Sequence, residues 1–400
     1  MRILLTATAS YAPPRGGATR SNLVWLNALA RAGHVCRIVC GPSAPAAELE
    51  VHPSITLLPV VDPARRVETL RREIRDLQPD WVLVSSEDLG HGLLREADRS
   101  AAGRVVYLAH TPQFFPFGAA SWNPDPQAAA LVARAAGIVA IGRHMADWIS
   151  RELCRPAAVI HPPIYGSGPF ANLAEFDRGS ITMVNPCAVK GIDIFLRLAG
   201  RMPALDFAAV PGWGTTAADR AALARLPNIR LLPNARSIDD LLAGTRVLLM
   251  PSLWHEGFGL TVMEAMLRGI PAVASSAGGL PEAKRGTGYV IPVQPIERYL
   301  AEFDEQAMPR PVVPENPIEP WVEAIRTLLG DRTAYERESA ASRAAALPFV
   351  QGLDAGEFER YLAGLQPVGS AGRGASPTVE SLSPERRALL LERLRRRTKA

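Results

Sequence analysis

Between Pro251 and Glu264 the sequence reads Pro-Ser-Leu-Trp-His-Glu-Gly-Phe-Gly-Leu-Thr-Val-Met-Glu. An apolar run precedes this stretch. Two glycines, Gly257 and Gly259, stand where backbone can approach a ligand closely, and a helix is predicted from near Leu260. The unpaired N–H groups and positive end of such a helix, with Gly257, Phe258, Gly259 and Leu260 leading into it, form a physical site for a diphosphate. Glu264 lies about one turn inside the helix, within reach of a ribose hydroxyl pair. Glu256 precedes the turn, where a carboxylate can accept hydrogen bonds from sugar hydroxyls, and His255 adjoins it. Two carboxylates coexist with an anionic phosphate only if they address hydroxyls. The blander reading makes Glu264 half of a surface ion pair with Arg268, four residues on, and Glu256 a solvated loop acid.

The whole arrangement resembles the E-x7-E element of the retaining glycosyltransferases of family four, whose fold is called GT-B. Gly269-Ile270-Pro271-Ala272-Val273 and Gly278-Gly279-Leu280-Pro281-Glu282 resemble that family's continuation, so the likeness covers most of residues 1–365. It implies transfer of a sugar from a nucleotide-diphosphate donor to an acceptor hydroxyl with retention at the anomeric carbon. Upstream, Val189-Lys190-Gly191 brings a lysine able to neutralise the donor's phosphates as charge builds on the leaving group. The family usually has an arginine five residues earlier, and here that position is Asn185. Either Asn185 supplies a neutral hydrogen bond, or Arg236 or Arg143 compensates.

Other candidates lie in the first half of the chain. Gly16-Gly17 ends the loop after the first strand and suits close approach to a donor, or merely permits a turn. His110 closes an apolar strand and resembles the family's cleft histidine, which contacts the transferred sugar and the acceptor. With Lys190 and Glu256 it makes up the expected catalytic set. The loop that follows carries Phe114, Phe115 and Phe117, with Trp122 close behind. Such a loop either presents a flat apolar surface to a ring-bearing or lipid-like acceptor, or packs its aromatics against its own domain.

These residues need a scaffold, and the hydrophobic pattern supplies one. Residues 1–41 read as strand, Pro/Gly loop, helix near Thr19–Ala32 and strand Val35–Cys40. Further strands are predicted at Ile55–Val60, Trp81–Ser85, Val105–Ala109 and Gly137–Ile141. A Pro/Gly/Ser-rich stretch at 162–180 reads as a hinge. A second series follows, with strands at Ile181–Val184, Phe207–Val210, Ile229–Leu232, Val247–Met250 and Ala272–Ser275 and a helix at Asp193–Arg201. Alternation of this kind predicts an α/β protein of two Rossmann-like, doubly wound domains facing a cleft. We expect an acceptor domain at 1–175, a donor domain at 176–350, a closing helix at 351–366, and a linker with a basic amphipathic helix at 367–400.

Composition bounds the remaining classes. Hydrophobic residues at 48% and charged residues at 21% describe a globular chain. No run approaches the ~18 apolar residues needed to cross a bilayer, and the apolar start is too short for a signal peptide, so a cytoplasmic protein is expected. Cys36, Cys40, Cys154 and Cys187 lack metal-ligand spacing and read as reduced core thiols. The net charge is +4, but residues 371–400 hold eight Lys/Arg against three Asp/Glu, which leaves residues 1–370 at −1. The basic balance therefore gives no reason to expect a nucleic-acid partner. No Asp-x-Asp pair is present. We expect a metal-independent enzyme without a bound cofactor, whose leaving diphosphate helps deprotonate the acceptor. The tail from Leu382 to Leu394 resembles the opening segment of condensation domains in nonribosomal peptide synthetases. It suggests a peptide or polyketide natural-product acceptor and a biosynthetic partner protein, where the plain alternative is a solvated basic helix. A nucleotide-sugar epimerase, a phosphorylase and a non-catalytic partner protein are the rival functions.

Overall fold

A computed structural model describes residues 1–43, 51–235 and 237–369. Arg236 and the tail from Leu382 to Leu394 lie outside the described residues. The first sheet contains β1 (Arg2–Thr6), β2 (Val35–Cys40), β3 (Ile55–Pro59), β4 (Trp81–Ser85), β5 (Val105–Ala109), β6 (Gly137–Ala140) and β7 (Ala158–Val159), in the order β3-β2-β1-β4-β5-β6-β7. Every pairing in it is parallel. The second sheet contains β8 (Ser180–Val184), β9 (Phe207–Val210), β10 (Ile229–Leu231), β11 (Thr245–Met250), β12 (Ala272–Ser275) and β13 (Val290–Ile291). Its order is β10-β9-β8-β11-β12-β13, again parallel throughout. A parallel strand is covered by helices on both faces, which is why Trp81–Ser85 and Val105–Ala109 are buried at every position.

In each sheet the strand order reverses once, between β1 and β4 and between β8 and β11. At such a reversal the loops leaving neighbouring strands diverge and open a crevice beyond their carboxyl ends. The loops after β1, β5 and β6 in one domain and after β9 and β11 in the other meet at the seam between the domains. Segment 160–179 carries the chain from one sheet to the other without regular structure. The chain crosses back after helix Arg332–Gln351, which packs on the second domain against helix Leu260–Leu267.

Helix Glu357–Gly364 then docks on the first domain. Phe358 stacks on Trp25 at 4.9 Å, the Trp81 indole N–H donates to the Leu362 carbonyl at 3.1 Å, and His34 meets Glu359 at 2.8 Å. Three short elements are too brief or too polar to be read from the pattern: β7 and β13, two residues each, and an antiparallel hairpin of β14 (Tyr299–Phe303) and β15 (Pro309–Pro311). Cys36, Cys40 and Cys187 are buried thiols, as their apolar neighbours suggest. Cys154 is not a core thiol: it is exposed, just past the end of helix Arg143–Leu153. Among the described residues no helix is long and apolar enough to cross a membrane.

Candidate active site at the domain seam

Lys190 and Glu256 are joined at the β8/β11 reversal. Lys190 sits in a short turn after β8, and Gly191 beside it has φ 82° and approaches the Pro251 carbonyl so closely that no side chain fits. That contact brings the two loops together. The Lys190 ammonium donates to Glu256 Oε1 at 2.5 Å, and the Ser252 hydroxyl donates to the same oxygen at 2.6 Å. Lys190 also lies 4.5 Å from the centre of the Trp254 ring. Both partners are buried, at 8% exposure each, so Glu256 is not the solvated loop acid of the blander reading.

Helix Leu260–Leu267 starts beside it. Gly259, with φ 119°, is the capping residue and brings no side chain to the first turn. Among the described residues the N–H groups of Leu260, Thr261 and Val262 have no acceptor, which leaves the positive end of the helix open. The Phe258 ring is buried against His161 and Phe349, leaving only its backbone for a ligand. Glu264 makes the ion pair with Arg268 that the bland reading anticipated, at 2.6 Å, but the pair is not on the surface, because Arg268 is 4% exposed and is also held by Asp239. Burial raises the Glu264 carboxyl, while Arg268 and, from the first domain, Arg20 pull the other way. Glu264 therefore stands at the seam.

Asn185 adopts a left-handed conformation, φ 56°, that asparagine tolerates better than most side chains. Its Oδ1 accepts from the Gly214 N–H at 2.9 Å and its buried Nδ2 has no partner among the described residues. Arg143 is exposed, and its backbone N–H donates to Glu282 Oε2 at 2.7 Å.

The first domain closes over this surface. A Cβ on Gly257 would strike the His110 carbonyl and lie 2.6 Å from Ile141 Cδ1, one on Gly17 would meet Leu260 Cδ1 at 3.1 Å, and one on Gly16 would meet the Trp213 indole at 3.5 Å. The glycine pair thus does more than permit a turn. The Thr19 hydroxyl fixes it by bonding both the N–H and the carbonyl of Gly16. His255 stacks on His144 of the first domain at 5.4 Å and meets Trp148 at 4.8 Å.

His110 is 2% exposed, and its Nε2 bonds Asn22 Oδ1 at 2.9 Å. The Asn22 amide donates to Tyr11 and Ser85, so in this orientation Oδ1 is the acceptor and His110 carries its proton on Nε2. Nδ1 then presents a lone pair, and it has no partner among the described residues. Of the aromatic loop, Phe115 and Phe117 are core residues of the first domain and cannot present a surface to an acceptor. Phe114 and Trp122 instead lie together at 4.9 Å, and Trp122 reaches across to Trp254 at 6.2 Å and Tyr299 at 5.4 Å.

Sequence reasoning overlooked Gln113, His144, Trp213, Ser252 and Tyr299. Gly212-Trp213-Gly214 directly after β9 was a readable signal, because it occupies the carboxyl end of a strand beside the reversal. Tyr299 gave none, since its hairpin lacks an apolar pattern.

Two glycosyltransferase families match the chain in sequence, one in each domain. Residues 15–165 match the description Glycosyltransferase Family 4, and residues 180–308 match Glycosyl transferases group 1. The chain has the GT-B fold of the group 1 and family 4 glycosyltransferases. No curated protein matches it in sequence. Among solved structures, this GT-B chain is similar to Anabaena HepE in complex with UDP-glucose, at 16% identity and TM-score 0.65, over 91% of this chain and 98% of that one. It is also similar to sucrose-phosphate synthase from Thermosynechococcus elongatus, at 15% identity and TM-score 0.66, over 90% and 99%. WaaG, a glycosyltransferase involved in lipopolysaccharide biosynthesis, gives 15% identity and TM-score 0.66 over 90% and 100%. At this identity the three describe the fold shared by the GT-B chains.

The buried histidines set an expected pH response. Burial lowers His110 to about 3, His255 to about 4, and His144 as well, while it raises Glu87 to about 7 and also raises Asp88. Between about pH 5 and 6.5 the unfolded chain binds protons at the histidines that the folded chain refuses, and the folded chain holds one at Glu87 that the unfolded chain releases. Near pH 5 the unfolded state leads by about one proton, and the lead shrinks towards pH 6.5 as its histidines release theirs. Stability is then expected to rise with pH across this window, most steeply near pH 5 at ~1.4 kcal/mol per unit, and to fall on acidification towards pH 4. Urea unfolding at pH 5.0 and 6.5 measures it; equal or inverted stabilities would show that the histidines are not held neutral.

Proposed function

We propose that the protein is a retaining glycosyltransferase that moves a sugar from a nucleotide-diphosphate donor to an acceptor hydroxyl. The observation that carries this reading is the joining of Lys190 and Glu256 at a strand-order reversal, beside the open start of helix Leu260–Leu267 and opposite His110. The diphosphate would lie against that helix start, where unpaired N–H groups favour an anion. Lys190 would turn from Glu256 to the phosphates, which frees the Glu256 oxygens for sugar hydroxyls. Glu264 would address the ribose, Asn185 would offer its free Nδ2–H, and His110 Nδ1 would accept from a hydroxyl in the cleft.

In the chemical step the bond between the anomeric carbon and the phosphate oxygen breaks and the bond to the acceptor oxygen forms on the same face. The acceptor's proton passes to the departing diphosphate, so neither a metal nor a cofactor is required. Lys190 and the helix start stabilise the charge that grows there. The acceptor we favour is a ring-bearing small molecule of the peptide or polyketide class, approached from the Phe114 and Trp122 side. The tail's likeness to a synthetase segment supports that class and a biosynthetic partner.

Thermal unfolding with UDP, GDP, ADP and dTDP tests the donor site. The right nucleotide should stabilise the protein by ~2.7 kcal/mol at a hundredfold excess over its dissociation constant, and Glu264→Ala should lose most of that. Incubation with the matching nucleotide sugar then separates transfer, which releases free nucleotide, from epimerisation, which returns an isomerised donor. Failure of all four nucleotides to bind would refute the assignment.

A further inference from the structure

Helix Arg143–Leu153 of the first domain begins without a cap of its own. Its N-cap residue is Gly142, which has no side chain to offer, and its first turn holds no acidic residue. The missing acceptor comes from the other domain. Glu282 Oε2 accepts from the Arg143 N–H at 2.7 Å, and the His144 N–H donates to the same carboxylate. A Cβ on Gly142 would lie 3.1 Å from Glu282 Oε2, so the glycine leaves the carboxylate room. Glu282 Oε1 faces His161 Nε2 at 3.4 Å. His161 Nδ1 lies 2.9 Å from the Ile141 carbonyl, which can only accept, so Nδ1 carries a proton there and Nε2 is the nitrogen turned to the carboxylate. Burial pushes the Glu282 carboxyl up, but His161 and the Arg143 and His144 N–H groups outweigh it and hold the group below its ordinary range, charged at neutral pH.

The other end of this contact is fastened to the candidate active site. Glu282 belongs to the single helical turn Leu280–Ala283. Gly279, just before that turn, donates its N–H to the Glu256 carbonyl at 2.8 Å, and no side chain would fit between Gly278 or Gly279 and the Glu256–Gly257 backbone. Leu280 is fully buried, and a Cβ on Gly259, the capping residue of helix Leu260–Leu267, would lie 2.9 Å from its Cδ2. The turn is therefore one piece with Glu256 and with the open helix start. On the first-domain side, helix Arg143–Leu153 leaves β6 through Ile141 and Gly142, and β6 pairs with β5, which runs into His110.

We propose that Glu282 is a positioning residue, a latch whose carboxylate caps helix Arg143–Leu153 across the seam and so fixes His110 against Glu256 when the domains close. Neither domain can make this bond alone, and with the domains apart water must replace each partner. A lost cap shifts an equilibrium by roughly 2–30-fold, and a charged acceptor shared by two N–H donors belongs at the upper end. That the latch serves sugar transfer rests on the glycosyltransferase reading above; that it holds the domains together does not.

Glu282→Ala removes the cap and leaves the glycine contacts of the turn in place. By small-angle X-ray scattering it should have a larger radius of gyration than the wild type, with and without UDP. Its turnover of the nucleotide-sugar donor should fall about tenfold or more, while UDP binding weakens far less. Glu282→Gln keeps an oxygen at the same reach and should recover part of both losses; Glu282→Asp is shorter by a methylene and should not. Gly142→Ala crowds the same contact from the first domain and should scatter as Glu282→Ala does, which keeps the test decisive if Glu282→Ala does not fold. Scattering of Glu282→Ala and Gly142→Ala identical to that of the wild type would overturn the latch. So would a rescue by Asp that exceeds the rescue by Gln, or a loss of UDP affinity as large as the loss of turnover, which would place Glu282 at the donor instead. Should UDP fail to bind the wild type and no donor be turned over, the donor reading fails, and the scattering comparison still decides the latch.

Discussion

Lys190→Met is expected to destabilise the ligand-free protein by ~3–5 kcal/mol and to lower turnover of a nucleotide-sugar donor by about 10²–10³-fold. The two effects have separate causes. Without the ammonium, Glu256 keeps the Ser252 hydroxyl but loses its only ion-pair partner among the described residues, at 8% exposure. Breaking one side of a buried pair leaves an uncompensated charge, which costs far more than the net worth of the pair. The double variant Lys190→Met with Glu256→Gln should therefore recover much of the stability and none of the turnover. Glu256→Gln alone should free Lys190, so UDP should bind it more tightly than it binds the wild type, while selection among donor sugars is lost. Urea unfolding, UDP titration and donor turnover on the four proteins measure these effects. A double variant no more stable than Lys190→Met would show that the two residues are not energetically coupled.

The sequence announced the scaffold because parallel strands buried on both faces must be apolar at every position. Trp81–Ser85, Val105–Ala109, Phe207–Val210 and Ala272–Ser275 fall where that pattern places them. The first helix starts at Gly17, two residues before the predicted Thr19, since the seam fixes its start as much as its own apolar stripe does. The elements with no such pattern escaped notice. β7 and β13 are two-residue edge pairings, and the β14–β15 hairpin has exposed residues at most positions, so nothing in its composition separates it from a loop.

The site shows the same division. Lys190 and Glu256 were readable because they flank glycines after apolar strands, yet their mutual bond was not, being a contact across 66 residues. The aromatic loop was visible as a group, but periodicity could not say that Phe115 and Phe117 turn inward while Phe114 and Trp122 turn towards the second domain. Residue type names the candidates; only the packing of one domain against the other sorts them.

That packing makes the glycines of the seam a graded probe of closure. Gly257→Ala is expected to lower turnover by at least ~10²-fold and to weaken UDP far less than that, because its methyl would collide with the His110 carbonyl and Ile141 Cδ1, both in the first domain. A backbone carbonyl cannot swing aside as the end of a side chain can, so the domains must stand apart. Gly142→Ala, whose methyl would meet the Gly257 carbonyl at 2.8 Å and Glu282 Oε2 at 3.1 Å, should follow closely. Gly17→Ala meets only Leu260 Cδ1, the movable tip of a side chain, at 3.1 Å, and should cost less. Gly16→Ala, at an ordinary 3.5 Å from the Trp213 indole, should cost least. Each variant leaves the two hydrophobic cores untouched, so nucleotide binding reports the second domain alone and turnover reports the assembled cleft. If turnover fell in a different order, or fell together with UDP affinity, the chemistry would not depend on this closed arrangement. The order Gly257, Gly142, Gly17, Gly16 ties catalysis to the approach of His110 to the Lys190–Glu256 pair.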